Sequence, residues 1–438
     1  MKTPMLWAVT LAVGVGCSGR APAVRSAASA PADAAVTLHD PMGPDPSGTD
    51  ASASMPEGDG GLAAPAETAP AAPPVVASLA MGEWHACAVM SDGDVRCWGR
   101  NREGQLGRAT EAAAPFSARP TSVPGVPPGA IQVSTGTFHS CARSDELRVF
   151  CWGDNRTRQS GVELVPTLDR PTELRALTET AEITAGRDQT CARHRDGTLR
   201  CWGNNENGQL GDGSVRAPFA PVLVAGLRGV AEIAAGSGHT CARLDDGTVR
   251  CWGLNRRGQV GDRTRLTRRR PTAVVGVARA AQIALGREHG CARLVDGTVR
   301  CWGRNDVGQL GNGTLLGSNV AVAVRGLTGV RHIAAGGLHT CAVLEDATVR
   351  CWGSNHHGQL GVGTVGGVWR EPTAVVGLTE VTALALSRGA DDGASCALRR
   401  DHSVHCWGDN AFGQLGRPSS GADPVAAAVR WEPPPASP

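Results

Sequence analysis

A Cys-x9-Cys-Trp-Gly motif occurs seven times along the 438-residue chain, and this repetition constrains the fold more than any other feature. The second cysteines of successive copies are 54, 50, 50, 50, 50 and 55 residues apart. Self-similarity at a period of roughly 50 residues is the signature of a repeat architecture, in which each unit is one supersecondary motif. We therefore divide residues 75–438 into seven similar units rather than into two or three unrelated domains.

Each pair of cysteines flanks a sequence typical of a β-hairpin. In the fourth unit the short loop Asp245-Asp246-Gly247 separates two segments, and a three-residue loop with Gly in the left-handed position is a common hairpin connection. Counting outward from this loop places Cys241 opposite Cys251 on a non-hydrogen-bonded rung, where side chains come closest. One disulfide per unit is therefore predicted. The pairs are Cys87–Cys97, Cys141–Cys151, Cys191–Cys201, Cys241–Cys251, Cys291–Cys301, Cys341–Cys351 and Cys396–Cys406.

Other pairings, free thiols and a metal site are the alternatives for these cysteines. Zinc sites favour Cys-x2–4-Cys spacing, which the repeats lack, so we predict neither a metal nor another cofactor. The chain has 15 cysteines, so seven pairs leave Cys17 as the odd one. This number of cysteines is typical of an exported, oxidised protein rather than a cytosolic one.

The first 16 residues have the pattern of a secretory signal peptide. Lys2 supplies a positive charge, and Met5–Val15 is an apolar run too short to span a bilayer. The segment Gly14-Val15-Gly16-Cys17 resembles the lipobox of bacterial lipoproteins, in which the cysteine is acylated. Ordinary cleavage nearby, with Cys17 removed or free, is the alternative. We predict a lipid-anchored protein of the cell envelope or outer membrane, which contacts the membrane only through this anchor.

Residues 17–74 are predicted to be a disordered tether between the lipid and the repeats. This segment is rich in Ala, Pro and Ser and shows no helical or strand period, so it cannot bury enough apolar surface to fold. Residues 75–438, which contain the seven repeats, form the third predicted segment, after the signal peptide and the tether. The net charge of the whole chain is only +2, which argues against a dedicated nucleic-acid binder.

The spacing of the repeats favours an all-β propeller over a solenoid, because four short strands fit each unit of roughly 50 residues. The two ends of the chain complete each other when they are aligned with unit four. Pro424–Val429 matches Pro271–Gly276, and Ala77–Gly82 matches Ala231–Gly236. We therefore expect a ring closed by pairing of the N- and C-terminal segments in one blade, which removes open sheet edges.

The repeated segments resemble the RCC1-type repeat, named for the regulator of chromosome condensation. The resemblance rests on Gly-x-x-His-Thr-Cys-Ala, Asp-Gly-Thr-Val-Arg-Cys-Trp-Gly and Asn-x-x-Gly-Gln-Leu-Gly-x-Gly, and it extends over residues 75–438. It implies a seven-bladed β-propeller. The paired cysteines in each unit resemble those of secreted bacterial members, here of a lipoprotein variety. Because one fold hosts many functions, the resemblance does not transfer an activity.

Two residue types recur at fixed positions and require an interpretation. A histidine stands two residues before the first cysteine in five units, whereas Gln189 and Ala394 interrupt the series. A ring of imidazoles would suit a metal, but we favour a structural role, which the resemblance also implies. The repeated tryptophans are predicted to lie in the core. They are Trp98, Trp152, Trp202, Trp252, Trp302, Trp352 and Trp407.

The candidate binding residues lie where the repeats differ. Five arginines occupy residues 263–270 of unit four, and arginine offers planar donors for anionic groups. A solvated loop is the alternative for this segment. Phe116, Phe219 and Trp369 occupy the equivalent loops of three other units, where they either bind a partner or pack between blades. Length insertions occur near residues 108–130 and 387–394. The five arginines are Arg263, Arg265, Arg268, Arg269 and Arg270.

The predicted function is non-catalytic recognition of a protein, whose identity the sequence does not reveal. Residues 75–438 carry a net charge of +6, which favours an acidic partner. No Gly-x-Ser-x-Gly elbow, zinc-protease motif or phosphate-binding loop occurs, so we do not predict an enzyme. The alternatives are a binder of cell-envelope glycan, which requires exposed Trp platforms, and an enzyme whose site is assembled across blades. We expect a monomer.

Overall fold

The computed structural model describes residues 74–109, 115–162, 165–389, 393–418 and 421–431. All described residues lie within one unit of the chain, Pro70–Pro438. The predicted signal peptide (1–16), Cys17 and the tether before Pro74 lie outside the described residues. Within the described ranges there is no helix with the length and apolar character needed to cross a membrane.

The described residues form 28 strands, numbered in chain order, in seven antiparallel sheets of four consecutive strands each. The first strands are β1 (Val76–Met81), β5 (Ala130–Thr135), β9 (Thr180–Ala185), β13 (Val230–Ala235), β17 (Ala280–Leu285), β21 (Val330–Ala335) and β25 (Val381–Leu386). The second strands are β2 (His85–Met90), β6 (His139–Ser144), β10 (Gln189–His194), β14 (His239–Leu244), β18 (His289–Leu294), β22 (His339–Leu344) and β26 (Ala394–Arg399). The third strands are β3 (Val95–Arg100), β7 (Val149–Asp154), β11 (Leu199–Gly203), β15 (Val249–Gly253), β19 (Val299–Gly303), β23 (Val349–Ser354) and β27 (Val404–Asp409). The fourth strands are β4 (Phe116–Ser122), β8 (Thr167–Glu173), β12 (Val222–Leu223), β16 (Arg268–Ala273), β20 (Ser318–Ala323), β24 (Val368–Ala374) and β28 (Ala422–Ala428).

The predicted hairpin register and all seven predicted disulfides are confirmed. In the fourth sheet, β13–β16, the Leu244 N–H donates to the oxygen of Thr248 at 2.9 Å, and Cys241 lies directly opposite Cys251. We number the sheets as blades 1 to 7 in chain order. Each cysteine pair forms a disulfide with a Cα–Cα distance of 4.1 Å. This short distance is typical of the non-hydrogen-bonded rung on which the sequence places the pair.

The seven sheets are the blades of a closed propeller, as predicted. Each first strand lies beside the first strand of the next blade, and β25 lies beside β1, so the ring is complete. The first strands surround a central channel of about 230 Å³. Most of the residues that line it are apolar, and they include Leu79, Val133, Ile233, Ile283, Ala334 and Leu384.

The way in which the ring closes differs from the sequence prediction, which put strands from both chain ends in one blade. Instead β1 pairs with β2, and β28 pairs with β27. A fourth strand and the following first strand are neighbours in sequence, but one lies at the rim and the other at the axis, so they do not pair. Blades 1 and 7 meet through side chains and through a main-chain hydrogen bond from the Arg388 N–H to the Gly82 oxygen at 3.1 Å. Trp98 donates to the oxygen of Gln414 at 2.9 Å and packs edge-on against Trp431 at 5.8 Å.

The hydrophobic core lies between neighbouring blades, where the repeated tryptophans pack as predicted. Trp152 of blade 2 donates from Nε1 to the main-chain oxygen of Gln105 in blade 1 at 2.9 Å. All seven tryptophans make the same bond to the glutamine of the preceding blade. Their side chains are at most 1% exposed. Each tryptophan therefore joins two blades, which explains why the residue recurs in every unit.

Side chains also satisfy the free edge of the first strand, which has a hydrogen-bonded neighbour on only one side. The Gln132 carboxamide on β5 accepts from the Ile183 N–H at 3.1 Å and donates to the Ile183 oxygen at 3.0 Å on β9. Pairing of this kind protects an edge that would otherwise expose unpaired main-chain groups. The equivalent residues in blades 3, 4 and 5 are Glu182, Glu232 and Gln282.

The antiparallel order assigns every connection to one of two ends of the propeller. First-to-second connections, such as 82–84, lie at the same end as third-to-fourth connections, such as 254–267. We refer to this end as the loop face. The hairpin turns, such as 245–247, and the fourth-to-first connections, such as 224–229, lie at the opposite end, which we refer to as the hairpin face. Loops from all seven blades therefore surround the channel opening on the loop face.

Candidate interaction surface on the loop face

A pocket of about 200 Å³ lies at the channel opening on the loop face, and we refer to it as the axial mouth. It is formed by first-to-second loops, because each of these loops turns beside the axis. Arg388 lines both the mouth and the channel, so its side chain lies between them. The lining residues include Arg187, Arg287, Arg388, Glu83, Trp84 and Phe138.

Three arginines give the axial mouth its positive charge. Arg388 follows β25 in blade 7, and its guanidinium donates across the axis to the main-chain oxygen of Ala235 in blade 4. Burial lowers the pKa of Arg388 to about 10, because loss of hydration disfavours the cation. Arg187 is exposed and lies 3.2 Å from the carboxylate of Asp188. Within the described part of the chain, the Arg287 side chain has neither an ion pair nor a hydrogen bond.

An aromatic cluster borders the mouth beside these arginines. The Trp84 ring lies 5.4 Å from Phe138 and 5.8 Å from Phe412, so blades 1, 2 and 7 each contribute one ring. The guanidinium of Arg100 stands 4.6 Å from the Trp84 ring centre, within the range of a cation–π contact. Arg100 also pairs with Glu103 at 3.0 Å. The three rings are only partly buried, so this cluster presents apolar surface to solvent.

A second pocket, of about 280 Å³, lies next to the axial mouth on the loop face. It shares Arg187 and Arg287 with the mouth and extends outward past Glu206 to Leu254. Glu288 on its wall pairs with Arg304 at 3.1 Å. Arg187 and Arg287 therefore stand between two concave surfaces, where either guanidinium can reach a bound partner.

The predicted arginine segment of blade 4 lies at the rim of the same face. Arg268 pairs with Asp262 at 2.5 Å, and Arg269 and Arg270 pack beside glycine turns of blade 3. Arg263 and Arg265 are exposed. These positions suit either of the interpretations given above, so partner binding by the five arginines stays a prediction.

One residue of this segment has a strained backbone. Arg263 has a φ of 66°, and the equivalent residues of blades 3, 5 and 6 are glycines with φ between 81° and 93°. A side chain in the left-handed region costs energy that glycine avoids. Seven other non-glycine residues of the described chain also have a positive φ, so the strain by itself assigns no role to Arg263.

The three predicted aromatic residues of the rim differ in their surroundings. Phe219 of blade 3 is 55% exposed, and the Arg158 guanidinium of blade 2 stands 3.9 Å from its ring centre. Trp369 is partly buried against the core between blades 6 and 7. Phe116, at the start of β4, is 41% exposed. Phe219 and Trp369 thus contribute to packing between blades, and their role in partner binding stays a prediction.

The repeated histidines are buried between blades rather than gathered around a ligand. Nε2 of His85 lies 2.9 Å from the hydroxyl of Ser140, which donates to the Gln105 oxygen at 3.0 Å. His139, His289 and His339 contact a hydroxyl of the next blade in the same way. Burial lowers the pKa of all five histidines of the series to about 3, so they are neutral. These contacts support the structural interpretation.

No group of three or more His, Cys, Asp or Glu side chains within the described residues is arranged to hold a metal ion. The position of Gln189, which interrupts the histidine series, is also structural. Its amide donates to the oxygen of Gly236 in the next blade at 3.0 Å. The repeat therefore uses this position to join blades, whichever of the two residues occupies it.

The axial mouth and its aromatic cluster were not predicted from the sequence. The predicted binding residues lie in the third-to-fourth loops, whereas most mouth residues occupy the two variable positions of Gly-x-x-His in the first-to-second loops. These positions are about 50 residues apart in sequence, and only ring closure brings them together. Comparison of the variable positions on one face would have revealed them, since arginine occurs there in blades 3, 5 and 7.

The fold and the site together define a seven-bladed β-propeller with an arginine-lined mouth. Each of its repeats contains one internal disulfide. A family model described as "RCC1-like domain" matches residues 42–317. Models of the regulator of chromosome condensation (RCC1) repeat match residues 296–343, 330–359 and 392–414. The chain therefore belongs to the RCC1-like domain family.

Curated relatives match only part of this chain. Human "Probable E3 ubiquitin-protein ligase HERC3" is 34% identical over 103 residues, which are 23% of this chain and 10% of the relative. "Protein pim1" of Schizosaccharomyces pombe is 33% identical over 94 residues, or 21% and 17% of the two chains. "RCC1 domain-containing protein RUG3, mitochondrial" of Arabidopsis thaliana is 30% identical over 125 residues, or 28% and 27%. The matched segments thus span about a quarter or less of the length of each of these relatives.

Solved structures share the fold over most of the chain. Yeast RCC1 (Prp20), solved bound to Kap60, has a TM-score of 0.69 and 20% identity, and the match covers 77% of this chain and 83% of that one. Human WBSCR16 has a TM-score of 0.66 and 25% identity, with 71% and 85% covered. Prp20p of Saccharomyces cerevisiae, studied for binding to Gsp1p and histones, has a TM-score of 0.68 and 20% identity, with 81% and 87% covered.

Proposed function

We propose that this protein is a non-catalytic recognition module that binds another protein through its loop face. The observation that carries the proposal is the aromatic cluster of Trp84, Phe138 and Phe412 around Arg100. The chain has only 5 Phe, 11 Trp and no Tyr, and seven of the tryptophans are core residues. Three partly exposed rings beside an arginine on one face are therefore a marked concentration, and Trp and Arg are enriched among energetically dominant interface residues.

Two observations favour a protein over an envelope glycan as the ligand. A glycan site requires exposed Trp platforms, whereas the seven repeated tryptophans are buried between blades, and the partly exposed Trp84 is packed against Phe138, Phe412 and Arg100. The two solved yeast neighbours were studied with protein partners, namely Kap60 in one case and Gsp1p and histones in the other. The neighbours support only the general use of this fold, because function depends on the site rather than on the scaffold.

Affinity capture tests the proposed function. The tagged full-length chain is expressed in its host, isolated from envelope extracts with its disulfides intact, and analysed by quantitative mass spectrometry. The test variant is Trp84→Ala/Phe138→Ala, and Val295→Ala is a control at an exposed apolar residue of the hairpin face. We expect at least one protein to be enriched with the wild type and lost with the double variant. The proposal is wrong if no protein is enriched, or if the enriched proteins are indifferent to the double variant.

We further propose that the propeller is displayed on the cell envelope by a lipid on Cys17. The seven buried disulfides support export, because such bonds persist in oxidising compartments. Intact mass and detergent phase partitioning of the mature protein test this. We expect an acylated N-terminal cysteine in the wild type and transfer of Cys17→Ala to the aqueous phase. An unmodified N-terminus in the wild type would exclude the anchor.

A further inference from the structure

We propose that the axial mouth binds an acidic side chain, Asp or Glu, which the partner protein inserts among Arg187, Arg287 and Arg388. This inference rests on the proposed function and names the chemistry of its central contact. The three arginines come from blades 3, 5 and 7 and line one pocket. A ligand in this pocket is therefore recognised by residues from three separate parts of the ring.

The first argument is the unbalanced charge of the pocket. Among the described residues that line the pocket, Glu83 is the one carboxylate, against three guanidinium groups. Arg187 has Asp188 as its partner, and Arg388 donates to a neutral main-chain oxygen. Arg287 has no side-chain partner among the described residues. A partly buried cation without a counter-charge is unfavourable, so an incoming carboxylate gains electrostatic energy here.

The second argument is the size and closure of the pocket. Its volume of about 200 Å³ is below the range of roughly 300–1,000 Å³ that is typical of small-molecule sites. Arg388 reaches across the axis to Ala235 and separates the mouth from the apolar channel. The volume of the pocket therefore suits one inserted side chain.

The third argument is the surface around the pocket. Trp84 and Phe138 line the mouth and belong to the partly exposed aromatic cluster. They offer apolar contact to residues on either side of an inserted carboxylate, as the core of a protein interface does. A free phosphate or a simple inorganic anion would leave these rings unused. The combination of guanidinium groups and aromatic rings thus favours a carboxylate that is part of a polypeptide.

Binding of short peptides tests the proposal on the full-length chain. The probe is a fluorescently labelled acetyl-hexaglutamate amide, and the matched neutral probe is acetyl-hexaglutamine amide. The affinity of each is measured by fluorescence anisotropy at 50 and 200 mM salt. The test variant is Arg187→Gln/Arg287→Gln. The control is Arg175→Gln/Arg228→Gln, which removes the same charge from two exposed arginines of the hairpin face.

We expect hexaglutamate to bind the wild type and the control equally, and to bind Arg187→Gln/Arg287→Gln at least tenfold more weakly. Binding should weaken with salt, and hexaglutamine should not bind. Thermal melting of the variants shows that they are folded. The proposal is overturned if hexaglutamate does not bind, if both double variants weaken it alike, or if equimolar phosphate displaces it.

The peptide assay separates failure of this site from failure of the proposed function. A protein captured by wild type and by Arg187→Gln/Arg287→Gln with equal yield would keep the recognition function and exclude the acidic side chain. If hexaglutamate binds at the mouth but the capture experiment enriches no protein, the carboxylate-binding site is retained. The proposed recognition of a partner protein is then refuted.

Discussion

The third residue of the hairpin loop shows how a single position limits the choice of amino acid. Gly247 and Gly297 occupy it with φ of 76° and 74°, whereas blade 6 has Ala347 there with φ of 62°. Glycine enters the left-handed region without steric cost, and other L-residues do so at a cost. The blades with glycine at this position therefore provide an internal comparison for the backbone strain at Ala347.

We expect Ala347→Gly to stabilise the protein by about 0.5–1 kcal/mol, because relief of the left-handed strain exceeds the added freedom of the unfolded chain. The measurement is the thermal midpoint of unfolding with the disulfides intact. The reverse change at the equivalent position, Gly297→Ala, is the control and should lower the midpoint. A lower midpoint for Ala347→Gly would contradict the assignment of strain to this residue.

Hydrogen bonds join the strands and loops of neighbouring blades, and several of these bonds are made by the repeated histidines. Nε2 of His289 meets the Thr340 hydroxyl at 2.9 Å, whereas His239 lacks this bond because Gly290 has no hydroxyl. The neutral rings have a pKa of about 3, compared with an ordinary value of 6.5. Below pH 6.5 the unfolded chain therefore binds protons that the folded chain does not, and stability falls as the pH decreases toward 3.

We expect His239→Gln to reduce this loss of stability in acid. Gln189 already occupies the equivalent position in blade 3, so the fold accepts an amide there. The wild type should lose stability between pH 7 and pH 5, and His239→Gln should lose up to about 2 kcal/mol less. Urea unfolding at the two pH values measures the difference, with the exposed His356→Gln as the control. Equal losses in all three proteins would refute a buried neutral His239.

The predictable features of the fold are those determined by short stretches of sequence. The Asp-Asp-Gly loop determines the hairpin register, and the constant spacing then fixes Cys241 opposite Cys251. The prediction that the two chain ends pair in one blade was wrong, because similarity to unit four does not reveal which strands are neighbours in space. The axial mouth could not be predicted for a similar reason, since Arg187, Arg287 and Arg388 meet only after the ring closes.

At the scale of the whole molecule, the contact between blades 1 and 7 completes the ring. No peptide bond joins these blades, so the junction depends on packing between them. Trp98 and Trp431 form an edge-on pair there, with Val76 and Val429 in the same cluster. Because each blade packs mainly against its two neighbours, weakening this junction should affect the terminal blades first.

We expect Trp431→Ala to lower stability by about 1–3 kcal/mol, through the loss of the aromatic pair and its buried area. Hydrogen exchange should become faster in β1 and β28, while β16 on the opposite side of the ring keeps its protection. Val425→Ala, at an exposed position of β28, is the control. Equal acceleration in all blades, or none, would contradict closure through this contact.

Site-specific photo-crosslinking in the host tests most directly the central claim that the loop face recognises a protein. A photoreactive amino acid replaces either Arg102 or Arg256 on the loop face, or either Arg175 or Arg228 on the hairpin face, all of which are exposed. The account predicts crosslinks to one protein from the loop-face positions and none to that protein from the hairpin-face positions. Crosslinks from the hairpin face alone, or from neither face, would contradict it.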